Sequence, residues 1–197
     1  MDRTLTPRYA LWFFLLLAFL YLVINGGHVY SGDGVVMLRV TEAMVERGEV
    51  SVRPIAGFED YGVLEGEGGK LYGKYGLGMS LLCVPAYLVG KLHARLVAAS
   101  DLVAFDYPPL LYYDRTDAVE VLTAFSCAKM NALLVAAIGA VVLALLLQFG
   151  FGLLPAFLLA LFFGLGSPTP FFAKTFFSEP LAALGVLTSF YFLLQFR

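Results

Sequence analysis

Charge is what this chain has least of. Only 14% of its 197 residues are Asp, Glu, Lys or Arg, while 60% are hydrophobic. A soluble domain carries about a quarter charged and about half apolar residues. So few charges cannot cover a water-facing surface, and the chain reads as a membrane protein. Its net charge of -2 supplies no basic patch, which excludes a nucleic-acid partner. Histidine and cysteine are scarce too. His28 and His93 are isolated and form no ligand pattern. Cys83 and Cys127 lie far apart in apolar surroundings without metal spacing, and read as core residues rather than a disulfide or a site. Internal repeats and low-complexity segments are missing as well.

What the chain has instead is long apolar runs. The first, 9–27, matches the roughly 20 helical residues that a bilayer core requires. A secretory signal is the rival reading, because Arg3 and Arg8 precede it. No small-residue cleavage pattern follows, however; the exit is Asn25-Gly26-Gly27-His28. The two arginines favour a cytoplasmic N-terminus, and Tyr9 and Trp12 suit an aromatic belt. No charge occurs between Lys129 and Lys174. That stretch holds two further spans, 130–149 and 153–172, separated at Gln148-Phe149-Gly150-Phe151-Gly152. Gly164, Gly166, Pro168 and Pro170 loosen the end of the third span. A fourth is expected over 180–196.

Residues 28–129 read as one long external loop. Val36, Met37, Val40, Ala43 and Met44 recur at helical spacing, with Arg39, Glu42 and Glu46 on the other side. This predicts an interfacial helix over 35–47, its apolar face in lipid or against the bundle, capped by Ser31 or Asp33 and ended by Gly48. Glycines break the pattern from 49 to 76, with a short hairpin expected around Glu67-Gly68-Gly69-Lys70. The segment 77–97 is apolar at first and then carries Lys91, His93 and Arg95. It reads as a second interfacial or re-entrant helix, with a full crossing as the alternative. A polar and aromatic connection with Pro108, Pro109, Tyr112 and Tyr113 covers 101–123. The expected fold is an all-α polytopic membrane helix bundle in a single domain, with four spans, or five if 77–97 crosses.

Four polar groups are candidates for chemistry. Asp33, between Gly32 and Gly34, suits a helix N-cap, and equally a general base at a membrane surface. Lys70, Lys74 and Tyr75 lie on a glycine-flanked loop, where lysines meet lipid head groups or a phosphate. Lys129 and Asn131 open the second span, and Asn131 needs a hydrogen-bonding partner there. Lys174 precedes Ser178, Glu179 and Pro180. The last three are explained by helix capping, but a charge at the membrane edge is a functional candidate in its own right.

Three segments resemble the GT-C class of polytopic glycosyltransferases, which includes protein O-mannosyltransferases and aminoarabinose transferases. They are Tyr30-Ser31-Gly32-Asp33, Tyr72-Gly73-Lys74-Tyr75-Gly76-Leu77-Gly78 and Thr175-Phe176-Phe177-Ser178-Glu179-Pro180-Leu181. The resemblance covers nearly the whole chain. It implies transfer of a sugar from a polyprenyl-phosphate carrier to an acceptor on the extracytoplasmic face of the cell membrane. Asp33 matches the first-loop acid that acts as base or helps hold a divalent metal ion. Lys74, Lys129 and Lys174 are the implied phosphate-binding residues, and Tyr75, Asn131 and Glu179 line the same substrate site. Relatives carry an acid pair in the first loop, where this chain has Gly34 after Asp33. They are also much longer, so the chain resembles the N-terminal part of such an enzyme. Two other functions fit the residues. One is a non-catalytic membrane subunit that packs on a partner subunit through Gly139, Gly164 and Gly166. The other, ranked last, is transport, which generally uses a charge buried within a span.

Overall fold

The computed structural model describes residues 6–29, 31–54, 61–97 and 118–196. Arg3, Tyr30, Gly57 and most of the 101–123 connection lie outside them. Among the described residues the chain is mostly helical, with seven α-helices and three short strands. It divides into two compact units. One comprises Met1–Gly26, Asn131–Lys174 and Ser178–Arg197; the other comprises Gly27–Met130 with Thr175–Phe177.

The first unit is an apolar one. Helix α1 is Thr6–Ile24, and α4, Ala118–Gln148, contributes its part from Asn131 onward. Helices α5 (Leu153–Gly166), α6 (Thr169–Lys174) and α7 (Glu179–Gln195) complete it. Phe13, Leu17, Ala18 and Tyr21 on α1 pack with Ala132, Val135, Ala136 and Leu143 of α4 and with Ala156 and Ala160 of α5. Alanine and glycine on the facing helices let backbones approach closely where no water-driven force assists packing. Gly139 shows this: a Cβ there would lie 2.4 Å from Leu17 Cδ1.

The expected third span, 153–172, consists of two helices. Pro168 cannot donate the N–H that the Gly164 carbonyl would receive four residues on, and the Tyr21 hydroxyl donates to that carbonyl instead, at 2.6 Å. Ser167 Oγ donates to the Phe163 carbonyl at 2.6 Å, and Asn25 Nδ2 donates to the Ala173 carbonyl at 2.7 Å. Broken helix persists in an apolar setting only when its freed carbonyls are met in this way.

The second unit is built on α2, Gly32–Arg47. Its N-cap is Ser31, whose Oγ accepts from the Gly34 N–H, and Gly48 closes it with φ 68°. The sheet has the order β1-β3-β2, all antiparallel: β1 is Ser51–Val52, β2 Val63–Glu65 and β3 Leu71–Gly73. A single 3-10 turn, Glu67–Gly69, joins β2 to β3 where the hairpin was expected. Helix α3, Leu77–Leu96, lies along α2. Thr41 Oγ1 donates to the Ser80 carbonyl at 3.0 Å, and Ser80 Oγ donates back to the Met37 carbonyl at 2.9 Å. Val35, Val36, Met37, Leu38, Val40, Thr41 and Ala43 are all buried. The apolar side of α2 is therefore covered by α3 and the sheet.

The start of α4 differs from the sequence reading. Helix α4 begins at Ala118 rather than near residue 130. Glu120, which interrupts the hydropathy, is neutralised by Arg39 of α2, so the charge does not stop the helix. Helix α3 runs unbroken for 20 residues and is apolar enough to cross a membrane, as are α1 and α4; α5 and α7 are shorter apolar helices. These long apolar helices fit an integral membrane protein.

Candidate active site

The site forms where the start of α2 meets the end of the β2–β3 hairpin. Asp33 lies in the first turn of α2, where the positive end of the helix dipole favours a carboxylate. Gly34 follows it for a steric reason. A Cβ at position 34 would stand 2.6 Å from Val29 Cγ1 and 2.7 Å from the Phe176 carbonyl oxygen. The acid pair expected from the resemblance has no room here. The same contact places part of the segment 175–177 against the start of α2.

The hairpin supplies the partners of Asp33. Val63 pairs with Gly73, so Gly62 falls opposite Lys74 and Tyr61 opposite Tyr75. The Lys74 N–H donates to the Gly62 carbonyl at 2.9 Å, extending the ladder by one bond. Gly62 takes φ +70°, with the Tyr75 ring 3.2 Å from where its Cβ would be. The two phenols then converge on one oxygen. Tyr61 donates to Asp33 Oδ1 at 2.6 Å and Tyr75 donates to it at 2.5 Å. The Lys74 ammonium stands 5.2 Å from the centroid of each of the two rings.

Partial burial raises the Asp33 pKa, but the two phenol hydrogen bonds and the Lys74 charge outweigh it. The carboxyl is held below its ordinary value and is ionised at neutral pH. Tyr75 shifts the other way: burial and the adjacent carboxylate raise it, so it stays a protonated donor.

Of the expected site residues, Asp33, Lys74 and Tyr75 come together. Lys129, in the same unit, places its ammonium 4.3 Å over the Phe125 ring one turn earlier on α4. Asn131, Lys174 and Glu179 belong to the other unit. Asn131 is buried in α4, whereas Lys174 is exposed in the last turn of α6 and Glu179 in the first turn of α7. Each of these charges complements its helix dipole. Sequence reasoning missed Tyr61. Its signal was the symmetry of the hairpin: Tyr61-Gly62 and Lys74-Tyr75 are equidistant from Gly68.

A second polar group in this unit is structural in character. Arg39 pairs with Glu42 at 2.8 Å and with Glu120, beside a cavity of about 160 Å³ also lined by Tyr87 and Thr123. Among the described residues no three His, Cys, Asp or Glu side chains gather as metal ligands. Among the described residues Asp33, with both phenols on Oδ1, does not make the ligand set that a divalent ion needs.

Comparison of the chain with family models, curated proteins and solved structures finds no match.

Proposed function

We propose that this chain carries the acid-bearing layer of a membrane glycosyltransferase that uses a polyprenyl-phosphate sugar donor. The observation that supports it is the convergence of Tyr61, Tyr75 and Lys74 on Asp33, in a chain whose helices are apolar enough to lie in a bilayer. Inverting transfer needs a base that takes the proton of an acceptor hydroxyl as the new bond to the sugar forms, and a positive charge near the departing phosphate. Asp33 fits the first role. Its Oδ1, on which the phenols converge, is the oxygen that would receive the proton. Lys74 fits the second as a point charge. The N-terminus would be cytoplasmic and the Asp33 layer extracytoplasmic.

Two of the three glycines of the subunit reading pack within this chain. Gly139 and Gly164 face Leu17 and Tyr21 of this same chain, and the nearest atoms to Gly166 are those of Phe162. Gly139 and Gly164 serve internal packing, whereas Gly166 is exposed.

The test is transfer of a labelled sugar from polyprenyl phosphate by the purified chain in proteoliposomes, with impermeant thiol labelling at Gly76→Cys to report the face. A Cβ at Gly76 meets no atom within 4 Å, so a probe fits there. Transfer to an acceptor on the face that labels at position 76 supports the reading. Labelling at 76 from the cytoplasmic face overturns it.

A further inference from the structure

The two tyrosines on Asp33 are not equivalent. Tyr75 is half-buried, stacks on Gly62 and passes directly into Gly76, the N-cap of α3, so its backbone is fixed by a helix. Tyr61 stands at the open end of the hairpin with 45% of its surface exposed, and its bond to Asp33 is the exposed one of the pair. A phenol O–H donating to a carboxylate has the same geometry as a substrate alcohol about to yield its proton. We propose that Tyr61 is a displaceable internal occupant of the Asp33 site, standing where the hydroxyl of a sugar or alcohol ligand docks, while Tyr75 is the fixed half that keeps the carboxylate aimed. The proposal deepens the reading of Asp33 as the centre of the site and names the ligand group it takes: an uncharged hydroxyl.

The exchange is balanced in hydrogen bonds to Oδ1. The ligand O–H replaces the Tyr61 O–H on Oδ1, and the exposed phenol returns to water, which solvates it at little cost. Lys74 also lies over the Tyr75 ring and keeps a ring partner when Tyr61 swings away. No proton changes hands in this step, so docking is separable from transfer. Tyr61 is thus a competitor of the ligand, and Tyr75 a positioning residue.

The experiment reads Asp33 directly. The detergent-solubilised full chain is treated with a water-soluble carbodiimide and glycine methyl ester at one fixed pH, and amidation of the Asp33 peptide is followed by mass spectrometry. Methyl α-D-glucopyranoside serves as the hydroxyl probe. In Tyr61→Phe the probe should protect Asp33 at a concentration about tenfold lower than in the wild type, the scale of one hydrogen bond to a charged group. In Tyr75→Phe the protecting concentration should not fall. Tyr61→Leu, which also removes the ring beneath Lys74, should follow Tyr61→Phe. Equal protection in wild type and Tyr61→Phe, or none in either, overturns the proposal, as does the same gain in Tyr75→Phe. The readout requires no transfer. A chain that transfers no sugar but shows the Tyr61 asymmetry defeats the transferase reading alone.

Discussion

The two units solve the same problem, holding helices together, by different means. The unit containing α1 and α5 relies on alanine-lined apolar contacts, with polar bonds to the Gly164 carbonyl, where Pro168 removes the donor, and to the Ala173 carbonyl. To its apolar contacts the unit containing α2 adds polar cross-links. Among them are the Thr41–Ser80 exchange, the Arg39–Glu120 pair, Lys91 to Glu46, and Glu49 held between Arg47 and Lys70. The difference accounts for where the Asp33 cluster sits. A carboxylate can be kept ionised and aimed only where polar partners surround it, and the second unit has them.

That contrast is broken most strongly in the apolar unit. Leu17 is fully buried, and Leu17→Ala should cost about 3 kcal/mol by removing its packing and leaving a cavity. Denaturation in mixed micelles measures it. Gly90 is the counterpart in the polar unit, since a Cβ there meets the Leu122 carbonyl oxygen and Thr123 Cα, both at 2.5 Å. Gly90→Ala should cost about 2 kcal/mol by overpacking the α3–α4 contact.

Next comes Tyr21→Phe, which keeps the ring but leaves the Gly164 carbonyl without that donor. The expected loss is about 1–2 kcal/mol, and faster amide exchange should be confined to the α5–α6 break.

The smallest effect is at Glu49. Hydrogen bonds from Arg47 and then Lys70 lower its pKa from 4.5 to about 2. A depressed carboxylate stabilises the fold fully above its ordinary pKa, and the contribution is lost as pH falls through the lowered one. Limited proteolysis of the hairpin should therefore be unchanged from neutral pH down to the ordinary pKa and increase below it. Glu49→Gln should remove that dependence, with little change at neutral pH, because exposed pairs contribute little.

Much of this was legible in the chain. The Ser31 and Gly48 caps and the Glu67–Lys70 turn follow from local rules of capping and turn chemistry, and the structure has each of them. Asp33 was recognisable from its glycine setting, and Lys74 and Tyr75 from theirs. That they share one site with Tyr61 was not, because it depends on hairpin register and on the packing of α2, both tertiary. Gly34 illustrates the same limit. From the sequence it is a departure from an acid pair; in the fold it is the residue that lets Val29 and the Phe176 carbonyl close over the start of α2. The early start of α4 was hidden for a related reason. A hydropathy profile counts Glu120 as a cost and has no means of seeing Arg39.

The most direct test of the account is sugar transfer by Asp33→Asn compared with wild type in proteoliposomes, with matched folding by thermal denaturation. Asparagine keeps the shape and can accept from both phenols, but it cannot take a proton. The account predicts a loss of about a hundredfold or more, the usual contribution of a positioned general base. Transfer by Asp33→Asn at the wild-type rate would contradict it.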